Sequence, residues 1–398
     1  MIENLRFRNF KSLANVEMEL EPFTVLVGPN AAGKTSLLEA AHLLSQAGVP
    51  VPIEHHHTWR RFRAVFGDHE HSPWRLATLP GAGPITMSMS QKGGDILSLM
   101  IDMPPPSKEK AHLEHTDWDA KFTLTVEGRQ DEARLQQILP DDLRAGRPRD
   151  ILDEPRLLAF ASTAFLHLDA SIMAQTSFVE EETPRMAANG HGLASTLSFL
   201  AGAQPELLDA IGADLATVIP GVRRIRTFRS RVKEQTLEPL KVEEQVVWRT
   251  VDHTRIGDRF AIEFHRLGNV ASDLLSEGTI LALGLITKIH EPAAPTFILL
   301  DDIDRGLHIE AQARLVDVLR RLMTTRPDLQ IVCTTHSPYL LSRCLPSEVR
   351  VLALDVERHT RIRKLTDHPA FEKVKYGFQT GEIWASLGED WVGGSTAK

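Results

Sequence analysis

Gly28, Gly33, Lys34 and Thr35 follow the pattern G-x-x-x-x-G-K-[ST] inside Phe23–Ser36, FTVLVGPNAAGKTS. The pattern has a physical rationale. A triphosphate carries several negative charges and needs many donors at close range. A loop that turns back on itself points successive backbone N–H groups inward, here from Asn30, Ala31, Ala32 and Gly33. The helix that follows adds its positive end. Gly28 and Gly33 permit the turn and the close approach of phosphate. Lys34 is expected to reach the β- and γ-phosphates, the Thr35 hydroxyl to ligate Mg²⁺, and Ser36 to complete the phosphate-binding set. Two elements must position these groups: a short apolar strand before the loop and a helix over Ser36–Leu44 after it.

Three later segments carry related chemistry. In Thr296–His308, TFILLDDIDRGLH, four apolar residues run straight into Asp301 and Asp302. Such a run reads as a buried parallel strand, and ligands bind at the carboxyl ends of such strands. Asp301 is then placed to hold the Mg²⁺ shell and Asp302 to orient or deprotonate an attacking water. Taken alone, the segment also fits, with less weight, a strand that ends at a polar turn. Leu275–Thr279, LSEGT, precedes an apolar helix, Ile280–Ile289. Ser276 and Gly278 sit where a helix N-terminus offers free N–H groups to an anion, although S-x-G-T by itself is usually an N-cap. Gln330–Leu341, QIVCTTHSPYLL, starts as a buried strand and ends in a polar turn with His336. The position of His336 behind the Asp pair points to phosphate sensing.

The order phosphate loop, LSEGT, DD, TTHSP resembles the ATP-binding-cassette (ABC) ATPases, above all the soluble branch with RecF-type, SMC-type and OLD-type members. Met1–Leu13, MIENLRFRNFKSL, resembles the first strand and N-F-[KR]-S turn of that branch. The likeness covers residues 1–50 and 260–355, with a weaker echo at Pro184–Leu200. It implies an α/β fold: a P-loop NTPase of ABC type, its mixed, largely parallel sheet flanked by helices, with a helical insertion and a small antiparallel β part. It also implies that two subunits sandwich two nucleotides. Ser276 and Gly278 would contact the γ-phosphate held by Lys34 of the partner subunit, and His336 would contact it from its own side. A helix N-terminus about 240 residues from the phosphate loop makes sense if its anion arrives in trans. A nucleotide-dependent C2 homodimer, or a higher oligomer, follows. ATP and Mg²⁺ are the implied cofactors. Adenine over guanine rests on the resemblance alone, because no stacking aromatic and no Q-loop glutamine stand out.

Two departures from the family pattern matter. Most relatives place Asp-Glu where this chain has Asp301-Asp302. The shorter carboxylate falls back by about one ångström, and misplacement on that scale can cost about 100-fold in rate. Pro-Glu is replaced by Ile303-Asp304; Asp304 is a second candidate for orienting water, ranked behind Asp302.

Composition agrees with this reading. The 398 residues, 42% of them hydrophobic, can bury a substantial core. No run of eighteen or more apolar residues exists, so no membrane span is expected. The N-terminus has no secretory pattern, and the two cysteines, Cys333 and Cys344, suit a reduced, cytoplasmic setting and exclude a Cys-based zinc site. A net charge of −8 argues against nucleic acid coating the whole surface. A local stripe remains, Val222–Lys233, VRRIRTFRSRVK, with Arg224 and Arg226, then Arg229 or Arg231, on one strand face and Ile225 and Phe228 on or near the other. It reads either as a DNA-backbone contact or as a solvated face paired with Glu180–Glu182 and Glu238–Glu244. His55–Arg63, HHHTWRRFR, with His69 and His71, lacks the ligand spacing of a dedicated metal site and reads as a basic, aromatic surface loop.

The organisation expected is an N-terminal cassette half over 1–128, a helical insertion over 129–220, a C-terminal cassette half over 221–355, and a tail over 356–398. Strands are expected at Leu5–Phe7, Val16–Leu20, Ile85–Ser90, Leu97–Asp102 and Lys121–Val126. Residues 242–266 read as two strands around a turn at Asp252–Asp258. In the tail, Trp384 and Trp391 are expected to pack onto the body. The absence of sustained heptads argues against long coiled-coil arms. An appended nuclease would need a domain of about 100 residues, more than the tail offers, so any nuclease is expected on another polypeptide. Two functions follow. The first is an ATPase in DNA repair or anti-phage defence beside a separate effector such as a nuclease, with DNA as a candidate ligand. The second is an ATP-locked scaffold that regulates an effector without binding DNA. A transporter cassette ranks third.

Overall fold

The computed structural model describes residues 1–47, 85–91, 94, 96–102, 119–126, 129–136, 162–178, 181–242 and 245–394. In chain order these form β1 (Ile2–Phe10), β2 (Leu13–Glu19), β3 (Phe23–Val27), α1 (Lys34–Ala47), β4 (Ile85–Gln91), β5 (Ile96–Asp102), β6 (Asp119–Val126), β7 (Arg129–Gln136) and β8 (Thr163–Leu166). There follow α2 (Ala170–Met173), α3 (Leu193–Ala203), α4 (Pro205–Val218), β9 (Val222–Val242), β10 (Gln245–Phe264), β11 (Gly268–Ala271) and α5 (Glu277–His290). The last part holds β12 (Phe297–Leu300), α6 (Ile309–Thr325), β13 (Gln330–Thr334), α7 (Pro338–Leu341), β14 (Val349–Leu354), β15 (Thr360–Lys364), α8 (Phe371–Val374) and α9 (Thr380–Leu387). Two compact units result: Met1–Phe165 with Pro295–Asp304 and Arg321–Lys398, and Leu166–Ala294 with Arg305–Arg320.

In the first unit, every position of β3, β12 and β13 is buried. Strands covered on both faces need unbroken apolar runs, and FTVLV, FILL and QIVCT supply them. Their sheet runs β15-β14-β3-β13-β12-β8. β3 pairs in parallel with β13 and β14, β13 with β12, and β15 adds an antiparallel edge. A second, antiparallel sheet runs β2-β1-β4-β5-β6-β7. α1 is packed by residues of both sheets. Leu37, Leu38, Ala40, Ala41 and Leu44 share one core with Phe7 and Met89 of the antiparallel sheet and Leu299 and Val332 of the parallel one. Each fully buried leucine contributes about 1.5–3 kcal/mol. The core holds the helix, and with it the loop that precedes it, in place. Gln330 ties the sheets together, accepting from Ile2 N at 2.9 Å and donating to Ile2 O at 2.8 Å.

In the second unit, β9 and β10 form one long antiparallel ribbon from Val222/Phe264 to Val242/Gln245, and β11 pairs with β10 on its other side. Ile225, Phe260 and Ile262 alternate onto one face and are buried where α3 and α4 pack. α5 is apolar on nearly every side and buried accordingly.

Three expectations change. The turn at Asp252–Asp258 does not form: Asp252 pairs with Gln235 and Asp258 with Arg229 in an unbroken ladder. The polar cluster there resembles a turn in composition, but cross-strand pairing decides. Residues 129–136, expected to be helical, form β7 against β6; RQDEARLQ favours helix locally, and tertiary pairing overrides that preference. The tail is more than a polar appendage. β15 extends the parallel sheet's edge, Thr380 Oγ1 donates to Cys344 O at 2.6 Å, and Trp391 stacks edge-on to His368 with centroids 4.9 Å apart. Among the described residues, no helix is long and apolar enough to cross a membrane.

Candidate functional site

The phosphate loop leaves the carboxyl end of β3 and ends at the first residue of α1. Its backbone is strongly turned: Gly28, Ala31 and Gly33 all have positive φ, at 145°, 64° and 93°. A side chain on Gly28 would strike Leu352 O at 2.2 Å. One on Gly33 would meet the Thr360 hydroxyl at 2.3 Å. The Thr360 hydroxyl donates to Ala32 O at 3.0 Å and lies 2.8 Å from Ser12 Oγ, from which it can accept, and this braces the loop from behind. Lys34 is 7% exposed and donates to Gly28 O and Pro29 O at 2.9 and 3.0 Å, so its ammonium lies folded into its own loop. Burial pulls its pKa down, and the charges of Asp302 and Asp301 oppose that shift.

β12 and β13 are parallel neighbours, so their carboxyl ends bring the acids to the same rim. Thr35 Oγ1 donates to Asp301 Oδ2 at 2.8 Å. Thr334, fully buried at the end of β13, donates to Asp301 Oδ1 at 2.6 Å and accepts from the Asp302 backbone N–H at 2.8 Å. Asp302 itself has φ 51°, a left-handed conformation that Asp tolerates better than most residues. Asp304 is held by Thr335 Oγ1 at 2.6 Å. His336 is exposed just beyond.

Lys11, Ser12, Asn30, Ala31, Gly33, Lys34, Thr35, Ser36, Asp301, Asp302 and His336 line one open cleft of about 430 Å³. Of the sequence-derived site residues of the first unit, Gly28, Ala32 and Asp304 are not on that wall. Ala32 is buried and accepts from Thr360 through its carbonyl. The donor set fits Mg²⁺ and a triphosphate. Thr35 and Asp301 juxtapose two hard oxygens, as Mg²⁺ requires, and Gly28 and Gly33 let the turned loop pack against Leu352 and Thr360. Sequence reading passed over Lys11, Ser12 and the two threonines. Lys11 (φ 50°) bonds Glu39 of α1. The N-F-K-S turn and the doubled Thr of TTHSP were the available signals.

Ser276 and Gly278 belong to the second unit. Ser276 caps α5: its Oγ accepts from Thr279 N at 3.3 Å. Gly278 lies so close to Gly306 that a Cβ would meet Gly306 O at 2.2 Å. Arg305 bonds Glu277 at 2.9 Å and Leu168 O at 3.1 Å. The start of α5 and the residues after the Asp cluster are therefore keyed together. In the basic stripe, Arg223, Arg224 and Arg226 all converge on Glu263 at 2.7–2.9 Å. The hydrogen bond from Arg224 leads in holding the Glu263 carboxyl down at about 2, with Arg226 helping and partial burial opposing. Glu263 is thus an acid that meets the stripe, and Phe228 shares the face of Arg224 and Arg226 instead of that of Ile225; Glu180 and the side chains of Glu238–Glu244 lie outside the described residues. His55–Arg63, His69 and His71 lie outside the described residues, and among the described residues no His/Cys/Asp/Glu cluster could hold a metal ion by itself.

The family described as "AAA domain, putative AbiEii toxin, Type IV TA system" matches residues 23–342. Septu protein PtuA of Bacillus thuringiensis is 32% identical over 82 residues, 21% of this chain and 18% of that protein. The OLD nuclease of Thermus scotoductus is 43% identical over 44 residues, 11% of this chain and 8% of that protein. The DNA replication and repair protein RecF of Chloroflexus aggregans is 25% identical over 174 residues, 42% of this chain and 36% of that protein. The chain thus spans well under half the length of each of these relatives. Among solved structures, an SMC head bound to the C-winged helix domain of ScpA aligns with TM-score 0.50 and 14% identity, covering 93% of this chain and 99% of that one. That likeness is one of fold: a P-loop NTPase of ABC type.

Proposed function

We propose a function from the premise that the chain belongs to this AAA-domain family and is an ABC-type ATPase of the RecF/SMC/OLD branch. It binds ATP with Mg²⁺ and hydrolyses it slowly, in a nucleotide-sandwich dimer that works in DNA repair or anti-phage defence beside a separate effector such as a nuclease. The observation that carries this reading is the single cleft that gathers Lys34, Thr35, Asp301, Asp302 and His336. Bound Mg·ATP supplies the scissile phosphoanhydride and a Lewis acid. Lys34 leaves its loop carbonyls to hold the β- and γ-phosphates. Thr35 and Asp301 hold the cation, with Thr334 fixing the Asp301 carboxylate. Asp302 orients the water and His336 senses the γ-phosphate. Ser276 and Gly278 close on the nucleotide of the other copy. Two relatives are named for DNA repair and for nuclease activity, which supports the setting. A cytoplasmic location belongs to the same proposal.

Asp302 favours a second reading. Its carboxylate is one methylene short and its backbone is left-handed. A site with its water-orienting acid set back hydrolyses poorly and serves as an ATP-held lock on an effector, without DNA. ATP turnover with and without duplex DNA, on the intact chain, Lys34→Ala and Asp302→Ala, separates the two. The first reading expects turnover that rises with DNA and disappears in both variants. Tight ATP binding with negligible turnover, unmoved by DNA, selects the lock. Absence of ATP binding overturns both.

A further inference from the structure

The β9–β10 ribbon has two unlike faces. One carries Ile225, Phe260 and Ile262 and is buried where α3 and α4 pack. The other carries Arg224, Arg226 and Phe228 on β9, opposite Glu263, Ala261 and Arg259 on β10. On this second face Arg223 joins Arg224 and Arg226 on Glu263, and Arg259 bonds Asp273 at 3.2 Å. Four guanidiniums therefore meet two carboxylates, an excess of two positive charges. The excess is accessible. The side chains of Arg223, Arg224 and Arg226 are 56%, 47% and 44% exposed, while Glu263 is 12% exposed. A guanidinium has five N–H donors, so bonding one carboxylate leaves each fork with donors for an incoming anion. Glu263 also holds the three forks in register before any ligand arrives, which lowers the ordering cost of binding.

Phe228 decides what kind of anion fits. It is 42% exposed, although aromatic side chains are usually buried, and it lies between Arg226 and its cross-strand neighbour Arg259. Arginines alone would accept any phosphate backbone. An exposed ring among arginines adds a platform on which an unstacked base can lie, and bases within a duplex are not free to use it. We infer that the open face of β9–β10 binds single-stranded nucleic acid, with Arg223, Arg224 and Arg226 on phosphates and Phe228 stacking a base. This rests on the nucleic-acid setting proposed above and names its ligand. It is independent of whether the cleft hydrolyses ATP.

The test is fluorescence anisotropy of the intact chain with labelled oligothymidylate, its RNA counterpart and a duplex of equal length, each across a salt series. The single strand is expected to bind more tightly than the duplex. For single strands each neutralised phosphate contributes about −0.7 to the slope of log K against log salt, so Arg224→Ala with Arg226→Ala should flatten that slope by about 1.4. Phe228→Ala should weaken single-strand binding by about tenfold and leave duplex binding unchanged. The DNA and RNA arms tell which sugar is preferred. An unchanged circular-dichroism spectrum and melting temperature in the arginine and Phe228 variants report that they are folded. Lys34→Ala with strand binding intact separates this site from the cleft. Absence of single-strand binding, a duplex preference, or a salt slope unchanged in the arginine pair overturns the inference. Capture of an acidic peptide with no affinity for oligonucleotides does so as well.

Discussion

The cleft at the carboxyl ends of β3, β12 and β13 and the N-terminus of α5 solve the same problem, presenting donors to an anion, in opposite ways. In the cleft, the groups on the cation side are each held by one from another element: Thr35 by Asp301, Asp301 by Thr334, Asp302 by the same Thr334. At the start of α5, the Ser276 hydroxyl serves its own helix, and the glycine behind it is pressed against Gly306 backbone. The first region is an assembled constellation within one unit. The second is a helix end whose glycine lets the Gly306 backbone pack against it; in the proposed function it closes on the nucleotide of another copy. The comparison teaches where rigidity is needed: the cation and the water must be placed to a fraction of an ångström, whereas a docking helix end needs clearance.

The largest effect that can break this comparison comes from the clearance. Gly278→Ala places a methyl 2.2 Å from Gly306 O, a backbone atom that cannot swing aside. The start of α5 must shift. If that end closes on a second copy's nucleotide, turnover should fall about 100-fold, with ATP affinity of the isolated chain unchanged. Equilibrium ATP binding, steady-state turnover and light scattering with ATP check it together. Turnover and ATP-dependent association at the intact level would mean that α5 does not meet nucleotide, and the contrast drawn above would collapse.

A middle-sized effect sharpens the other side. Thr334→Val keeps the shape at a fully buried position but removes the hydroxyl that serves both aspartates. Partners one shell out from a metal typically matter 10–100-fold, so Mg²⁺-dependent turnover should fall by about that much. Loss of a partner for the part-buried Asp302 N–H should also cost about 1 kcal/mol of stability. Thr334→Ser should restore most of the turnover. The check is a Mg²⁺ titration of turnover for all three proteins. An unchanged Mg²⁺ dependence in Thr334→Val would show that the threonine only packs.

These two regions were not equally legible in sequence. FTVLVGPNAAGKTS and FILLDD announce their elements, because strands buried on both faces must be unbroken apolar runs and a phosphate loop must have its glycines at fixed offsets. Phe297–Leu300 was found residue for residue. Thr334 was hidden, because a hydroxyl's role depends on which strands are neighbours, and β12 pairs with β13 across 33 positions of chain. The ribbon was misread for a related reason. Asp252–Asp258 has turn-like composition, and only the partner strand keeps it extended. Glu263 could not be matched to Arg223, Arg224 and Arg226 without the register that brings residues about 40 apart together.

The smallest effect concerns that cluster and follows from its charge. Glu263 titrates at about 2, below the usual carboxylate range, because of the Arg224 hydrogen bond first and the neighbouring arginines after it. Its pKa is lower in the folded chain than in the unfolded one, where it is about 4.3. The stabilisation is therefore fully present above about pH 4.3 and is lost as pH falls toward 2. Glu263→Gln should lower the melting temperature slightly at pH 7. The same small difference should persist at pH 5 and shrink only below about pH 4. Carbon-detected NMR of the Glu263 carboxyl should place its titration about two units below that of exposed glutamates. An ordinary glutamate titration would mean that the three arginines do not hold Glu263 in solution. The open face of the ribbon would then lose its ordered forks, and with them the contrast between a face prepared for a charged ligand and a helix end prepared only by clearance.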